Sequence, residues 1–310
     1  MVSMESRSRR YPLAKGPIGE AIATRLRVRL SRIVEQLAQL IGAAPIEPVE
    51  RDFDTFVRVA PPHSFGEISP ELRAFQMSVK RQYDSCAEII RVFLDRAPKD
   101  LTNQWKEADR DLRVWLELDS NWALQPHRTS NEKQLRATAQ AIDNIVDVFA
   151  ALGSGGILVI PDTNSLVDQP DPVVYRTVAG RQDFTFLLLP SVLGELDDLK
   201  IGHKNPEIRD GAKRAISRIR GWRDQARQKG RTLVEGTIVD GTITVQANNI
   251  EPDMESSLSW LDESVQDDRI IAAVLAVEAE NPSATTLLVT GGINLQNKAD
   301  AALIETADPP

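Results

Sequence analysis

Apolar residues recur at three- to four-residue spacing through the first half of the chain and gather into short continuous runs through the second. In IGEAIATRLRVRLSRIVEQLAQLIG, the residues Ile18, Ile22, Leu26, Ile33, Leu37 and Leu40 make one stripe, which predicts an amphipathic helix. A connector carrying Pro45, Pro48, Pro61 and Pro62 follows. Ser69 and Pro70 supply an N-cap and a first-turn residue for a long second helix with Leu72, Phe75, Val79, Cys86, Ile90 and Phe93 inward. A third helix is predicted around Trp105 to Leu116. A fourth opens at Thr129, where Glu132 three residues on completes a capping-box pattern, and runs through Ile142, Ile145, Val146 and Phe149 to a glycine stop, GSGG, at 153–156.

Beyond that stop the grammar changes. ILVI (157–160), FTFLLL (184–189), TITVQA (242–247) and TTLLVT (285–290) are buried-strand runs separated by helical stretches. The alternation predicts an α/β unit with a mostly parallel sheet, preceded by an all-α domain, with residues 1–155 and 156–310 as the two parts. The chain has 310 residues, enough for two ordinary cores. No apolar run reaches the length of about eighteen residues that a membrane span needs, so no membrane association is expected. The N-terminal MVSMESRSRRYPLAKG has arginines but no apolar region behind them and does not read as a secretory signal. Cys86 is the single cysteine, so no intrachain disulfide is possible, and a cytoplasmic location is the expectation.

Each strand run leads to acid. ILVIP is followed by Asp162, FLLLP by a helix carrying Glu195 and Asp198 on one face with Asp197 turned away, and Asp267 and Asp268 open the helix containing Ile270, Ile271, Val274 and Leu275. In a parallel sheet the strand carboxyl ends and the starts of the following helices share one edge, so acids distant in sequence meet there. Carboxylates forced together repel unless a cation sits among them. Oxygen-only ligation suits Mg²⁺ or Mn²⁺ and argues against zinc. Such a site can activate water against a phosphodiester, which points to hydrolysis of a nucleic acid backbone. The plainer reading of any one acid is a helix cap or a solvated face; three stations, each after a strand or at a helix start, favour the metal site.

VIPDTNSLV, LPSVLGELDDLK, DDRIIAAVL and LLVTGGINLQNKADAA, in that order, resemble the motifs of the PIN-domain family of metal-dependent ribonucleases, over roughly residues 156–310. The resemblance implies a three-layer α/β/α fold, a Mg²⁺ or Mn²⁺ site and endonucleolytic cleavage of RNA, single-stranded in the first instance. It makes Asp162 the first metal ligand, with Thr163 and Asn164 completing the motif, Glu195 the second, and Asp267 the third, with Asp268 as neighbour or replacement. Asp198, Thr290 and Asn294 are supporting residues. Relatives commonly read Thr-x-Asp-x-Asn at the fourth motif, whereas this chain has Thr290, Gly291, Gly292, Ile293 and Asn294, so that Gly292 stands at the acidic position. Three readings stay open: three acids suffice for slow or Mn²⁺-favouring cleavage, Asp268 or Asn294 substitutes, or Gly292 is crippling, whether natural or introduced, and leaves a silent RNA-binding or scaffold protein.

The net charge of −8 argues against unspecific coating of nucleic acid, but it hides two basic stretches. One is residues 1–32, with Arg7, Arg9, Arg10 and Lys15 at its start. The other is residues 200–231, whose helix from Glu207 to Lys229 puts Lys213, Arg220 and Arg227 on one face, an RNA track or simply a solvated surface, with Trp222 a stacking surface or a core residue. His63, His127 and His203 lie on separate loop-like segments without ligand spacing. GSGG lacks the Lys-Ser/Thr of a phosphate-binding loop, and Asn164 replaces the second Asp that a haloacid-dehalogenase phosphatase needs. The helical half is expected to serve homo-oligomer formation, a protein partner, RNA positioning or an inhibitory cap.

Overall fold

A computed structural model describes residues 20–49, 61–95, 97–119, 124–151, 155–249 and 251–310. Ile18, the arginines before it, and Gly153 and Ser154 of the glycine stop lie outside the described residues. Helix α1 (Ile22–Ala43) buries Ile22, Leu26, Ile33, Leu37 and Leu40 as its stripe requires. In α2 (Pro70–Leu94) the Ser69 hydroxyl accepts from Leu72 N at 3.2 Å, the predicted cap. Val79, Cys86, Ile90 and Phe93 are buried, whereas Leu72 and Phe75 are half-buried. The connector before α2 is not featureless. It holds a ribbon of β1 (Ile46–Pro48) and β2 (His63–Phe65), which places His63 in a strand rather than a loop.

Helix α3 (Lys99–Leu116) starts six residues before Trp105, directly behind Pro98, whose fixed φ suits a helix entry. Helix α4 (Arg128–Ala151) departs from the expected capping box: it begins at Arg128, not Thr129. The Ser130 and Asn131 amides donate to the His127 carbonyl, and Glu132 is drawn to Arg136 at 2.9 Å. Buried Asn131 closes the entry instead, pairing both its amide atoms with the Gln125 backbone at 2.8 Å.

The second half runs β3 (Ile157–Pro161), α5 (Thr163–Asp168), a 3-10 turn (Pro172–Tyr175), α6 (Arg176–Ala179), β4 (Thr185–Leu188), α7 (Pro190–Gly202), α8 (Pro206–Gln228), β5 (Thr237–Val239), β6 (Ile243–Ala247), α9 (Gln266–Glu280), β7 (Thr285–Val289), α10 (Ile293–Ala301) and β8 (Glu305–Ala307). One sheet of order β5-β6-β4-β3-β7-β8 results, parallel except for the β5–β6 pair. The four apolar runs are its four inner strands. The chain steps from β3 through β4 to β6, then returns past β3 to β7 and β8. With right-handed crossovers, α5 to α8 cover one face and α9 and α10 the other, giving three layers. The direction reverses between β3 and β7, and Asp162 and Thr290 immediately follow those two strands.

Two contacts fix what surrounds that point. Helix α8 crosses α5 at Gly211, where an added Cβ would lie 2.6 Å from Val167 Cγ1 and 2.8 Å from the Val167 carbonyl oxygen. Gly211→Ala should therefore lower stability in urea unfolding: overpacking costs about 1–3 kcal/mol against about 1 kcal/mol gained in helix propensity, and a backbone oxygen cannot swing aside. The helical region is not a loose appendage. Helix α2 packs on α9, the buried apolar residues of both halves form one cluster, and Arg25 of α1 pairs with Glu278 of α9 while also donating to the Leu303 carbonyl. Among the described residues no helix is long and apolar enough to cross a membrane.

Candidate active site

Asp162 caps α5. Its Oδ1 accepts from Ser165 N at 2.7 Å, and its Oδ2 accepts from the Thr290 hydroxyl at 2.6 Å. A carboxylate at a helix N-terminus is also favoured by the helix dipole. The residue is 4% exposed and Thr290 is fully buried, so the link between the ends of β3 and β7 is made in a water-poor place. Beneath it, the Tyr175 hydroxyl lies 3.0 Å from the carbonyls of both Ser165 and Gln169, and its ring packs on Phe186. Burial, and then the charges of Asp162 and Asp168, hold the Tyr175 phenol well above its usual range, so it stays protonated as the donor that anchors α5.

Thr163 carries the network sideways: its hydroxyl donates to Glu195 Oε2 at 2.5 Å, which joins α7 to the start of α5. On the other flank, Asn294 of α10 donates to Asp267 Oδ2 at 2.6 Å. Asp268 lies apart from both. It is 4% exposed, Lys298 Nζ sits 2.6 Å from its Oδ1, and the Asp262 amide donates to its Oδ2 at 3.0 Å. The two adjacent acids thus differ in surroundings, Asp267 half-buried with a neutral partner and Asp268 inward with an ammonium. Sequence reasoning passed over Lys298, although it stands four residues after Asn294, a spacing that puts both on one face of α10.

Asn164 and Asp198 are exposed, and Asp197 is exposed and paired with Lys200 at 2.6 Å. On α8, Lys213, Arg220 and Arg227 are all exposed, with Lys213 paired to Asp210 at 2.9 Å. Trp222 is a core residue, edge-on to Phe186, and offers no stacking surface. Of the histidines, His203 accepts from Asn205 N through Nδ1, and His127 is exposed.

The donor set at this edge is oxygen-only, the chemistry a hard divalent cation prefers. The carboxylates are nevertheless not gathered into one cage: among the described residues, no three Asp, Glu, His or Cys side chains are grouped so as to hold an ion. Glu195 and Asp267 each rest on a neutral donor from the chain itself, an arrangement that avoids mutual repulsion.

Gly292 is the N-cap of α10, with φ −81° and ψ 109°, a conformation open to any residue. Its amide donates to Thr290 Oγ1 at 3.0 Å. A Cβ there would stand 3.4 Å from that hydroxyl oxygen and 3.8 Å from Leu295 Cβ, ordinary contact distances. Nothing in the backbone requires glycine. Gly292→Asp should fold normally and change stability by no more than a few tenths of a kcal/mol, the usual difference between Gly and Asp as an N-cap; thermal melting checks this, and a large loss would show a steric need for glycine.

Residues 159–309 match the family model of the PIN domain. No curated protein matches the chain.

Proposed function

Since residues 159–309 form a PIN domain, of a nuclease-like family that generally depends on divalent metal ions and generally binds RNA, we propose that the chain is a metal-dependent endoribonuclease weakened at one position. In this reading Asp162, Glu195 and Asp267 hold Mg²⁺ or Mn²⁺. Gly292 marks the missing fourth acid, and Thr163, Thr290 and Asn294 orient the other three. Residues 156–310 are the nuclease domain and residues 1–155 the preceding domain, whose described helices pack on it through α9. The exposed Lys213, Arg220 and Arg227 offer phosphates a track along α8, with binding that weakens as salt rises.

The observation that carries this reading is the bonded sequence of acids along one sheet edge: Glu195 to Thr163, Asp162 to Thr290, and Asp267 to Asn294. A bound divalent ion would supply an activated water and neutralise charge developing on the phosphate. The chain's own part is to hold the acids ready. The Asp162 oxygens are both oriented by donors before any substrate arrives, and Glu195 and Asp267 each accept, among the described residues, on a single carboxylate oxygen.

A second reading, a silent RNA-binding protein with the fold but not the chemistry, is favoured by the ungathered carboxylates. Mn²⁺ separates the two. A functional site raises the melting temperature by mass action, since only the folded chain binds the ion. The test is cleavage of end-labelled single-stranded RNA in Mn²⁺ and in Mg²⁺, run beside a Mn²⁺ titration of the melting temperature. Absence of both effects in the original chain and in Gly292→Asp favours the silent protein.

A further inference from the structure

Helices α9 and α10 meet at two rungs, Asp267 with Asn294 and Asp268 with Lys298, whose acids are adjacent on α9 and whose partners lie one helical turn apart on α10. The outer rung is a hydrogen bond from a neutral amide to a half-buried acid. The inner one is an ion pair whose carboxylate side is 6% exposed and whose ammonium side is 23% exposed. Only the inner rung is costly to break, because separating it leaves a buried carboxylate whose remaining partner is one amide. It therefore sets the register of α9 on α10. Helix α10 is in turn tied to Asp162, since the amide of its cap residue, Gly292, donates to the same Thr290 hydroxyl that donates to Asp162.

We propose that Lys298 is a positioning residue: its ion pair withdraws Asp268 from the candidate ligand set and, by locking α9 to α10, places Asp267 as the one acid that α9 presents to the edge. The inference rests on the ribonuclease reading for its purpose, but not for its test. Lys298 touches no substrate and acts through Asp268. The doublet at 267–268 then divides its labour, one acid for the edge and one for the lock.

The experiment compares the full-length original chain with Lys298→Met, Lys298→Arg and the double variant Lys298→Met with Asp268→Asn. Two quantities are read, amide hydrogen exchange over residues 262–270 and 293–298, and the affinity for Mn²⁺ alone from the free-ion signal in electron paramagnetic resonance. Lys298→Met should speed exchange in both segments at least about 10-fold and weaken Mn²⁺ binding about 10- to 100-fold, the range for groups that orient metal ligands. Lys298→Arg keeps the charge and should preserve both within about 3-fold. The double variant removes the stranded charge and should recover most of the protection. Unchanged exchange in Lys298→Met overturns the proposal. So does a double variant that binds Mn²⁺ more weakly than Lys298→Met, since Asp268 would then be a ligand. If the original chain binds no Mn²⁺, the metal reading of the function fails, and the exchange arm still decides on Lys298.

Discussion

In a Gly292→Asp background, Asp162→Asn should reduce Mn²⁺-dependent cleavage of single-stranded RNA by at least about 100-fold, more than the loss typical of residues that merely orient ligands. The substitution is nearly isosteric, and its remaining oxygen can still accept from Ser165 N, so α5 keeps its cap. What changes is the side facing Thr290. That hydroxyl donates to Asp162 and accepts from Gly292 N. An asparagine amide turned toward it sets donor against donor, and the negative charge at the junction of β3 and β7 is gone. Single-turnover cleavage of end-labelled RNA, with circular dichroism as a control for folding, makes the measurement. A variant that cuts within about 5-fold of its parent would remove Asp162 from the ligand set and with it the central claim about function.

Arg25→Ala should cost about 3–5 kcal/mol at pH 8, the usual penalty for stranding one half of a buried ion pair, and distinctly less at pH 5. Glu278 is 1% exposed, and its Oε2 has no hydrogen-bond partner among the described residues. Burial pushes its carboxyl up to about 7, Arg25 opposes that rise, and Glu305 adds to it. The folded chain thus holds a proton on Glu278 that the unfolded chain releases near 4.5, so this residue's stabilising contribution is full below that value and is lost as pH rises through about 7. Below about 7 the folded Glu278 is neutral, and losing Arg25 removes little beyond its hydrogen bonds to Glu278 and to the Leu303 carbonyl. Above it, the carboxylate stands alone in the protein interior. Urea unfolding at the two pH values measures the difference, and an equal penalty at both would show that the pair carries no charge-dependent coupling between α1 and α9.

The parts of this molecule that announce themselves in the sequence are those with repetition or adjacency. The α1 stripe is a helical period sustained over more than five turns, and the inner strands are unbroken apolar runs. Asp162 follows such a run directly, so its place at the sheet edge could be read. The edge strands β5 and β8 are different: three residues each, solvated along one side, they carry no apolar run, and they exist because β6 and β7 offer partners. The α4 entry misled for a physical reason. The Thr129 and Glu132 spacing is a genuine capping signal, but Arg136 and Glu35 made Glu132 more useful as an ion-pair partner, and Asn131 found the backbone of Gln125. At the site, the motif spacing separated Asp162 from Glu195 and from the acid doublet, yet which member of the doublet faces inward depends on the partner helix α10, which local patterning cannot see.

The last strand has a practical bearing on how the protein is handled. Thr290 N donates to the Ala307 carbonyl at 3.0 Å, Gln296 reaches Asp308 at 3.0 Å, and the Pro309 ring borders Gly291. The backbone around the residue that orients Asp162 is therefore tethered to the segment 307–309. Cleavage or displacement at residues 307–309 acts within a few residues of the acid edge, and any assay of this protein is better run on a preparation in which that segment is checked to be intact.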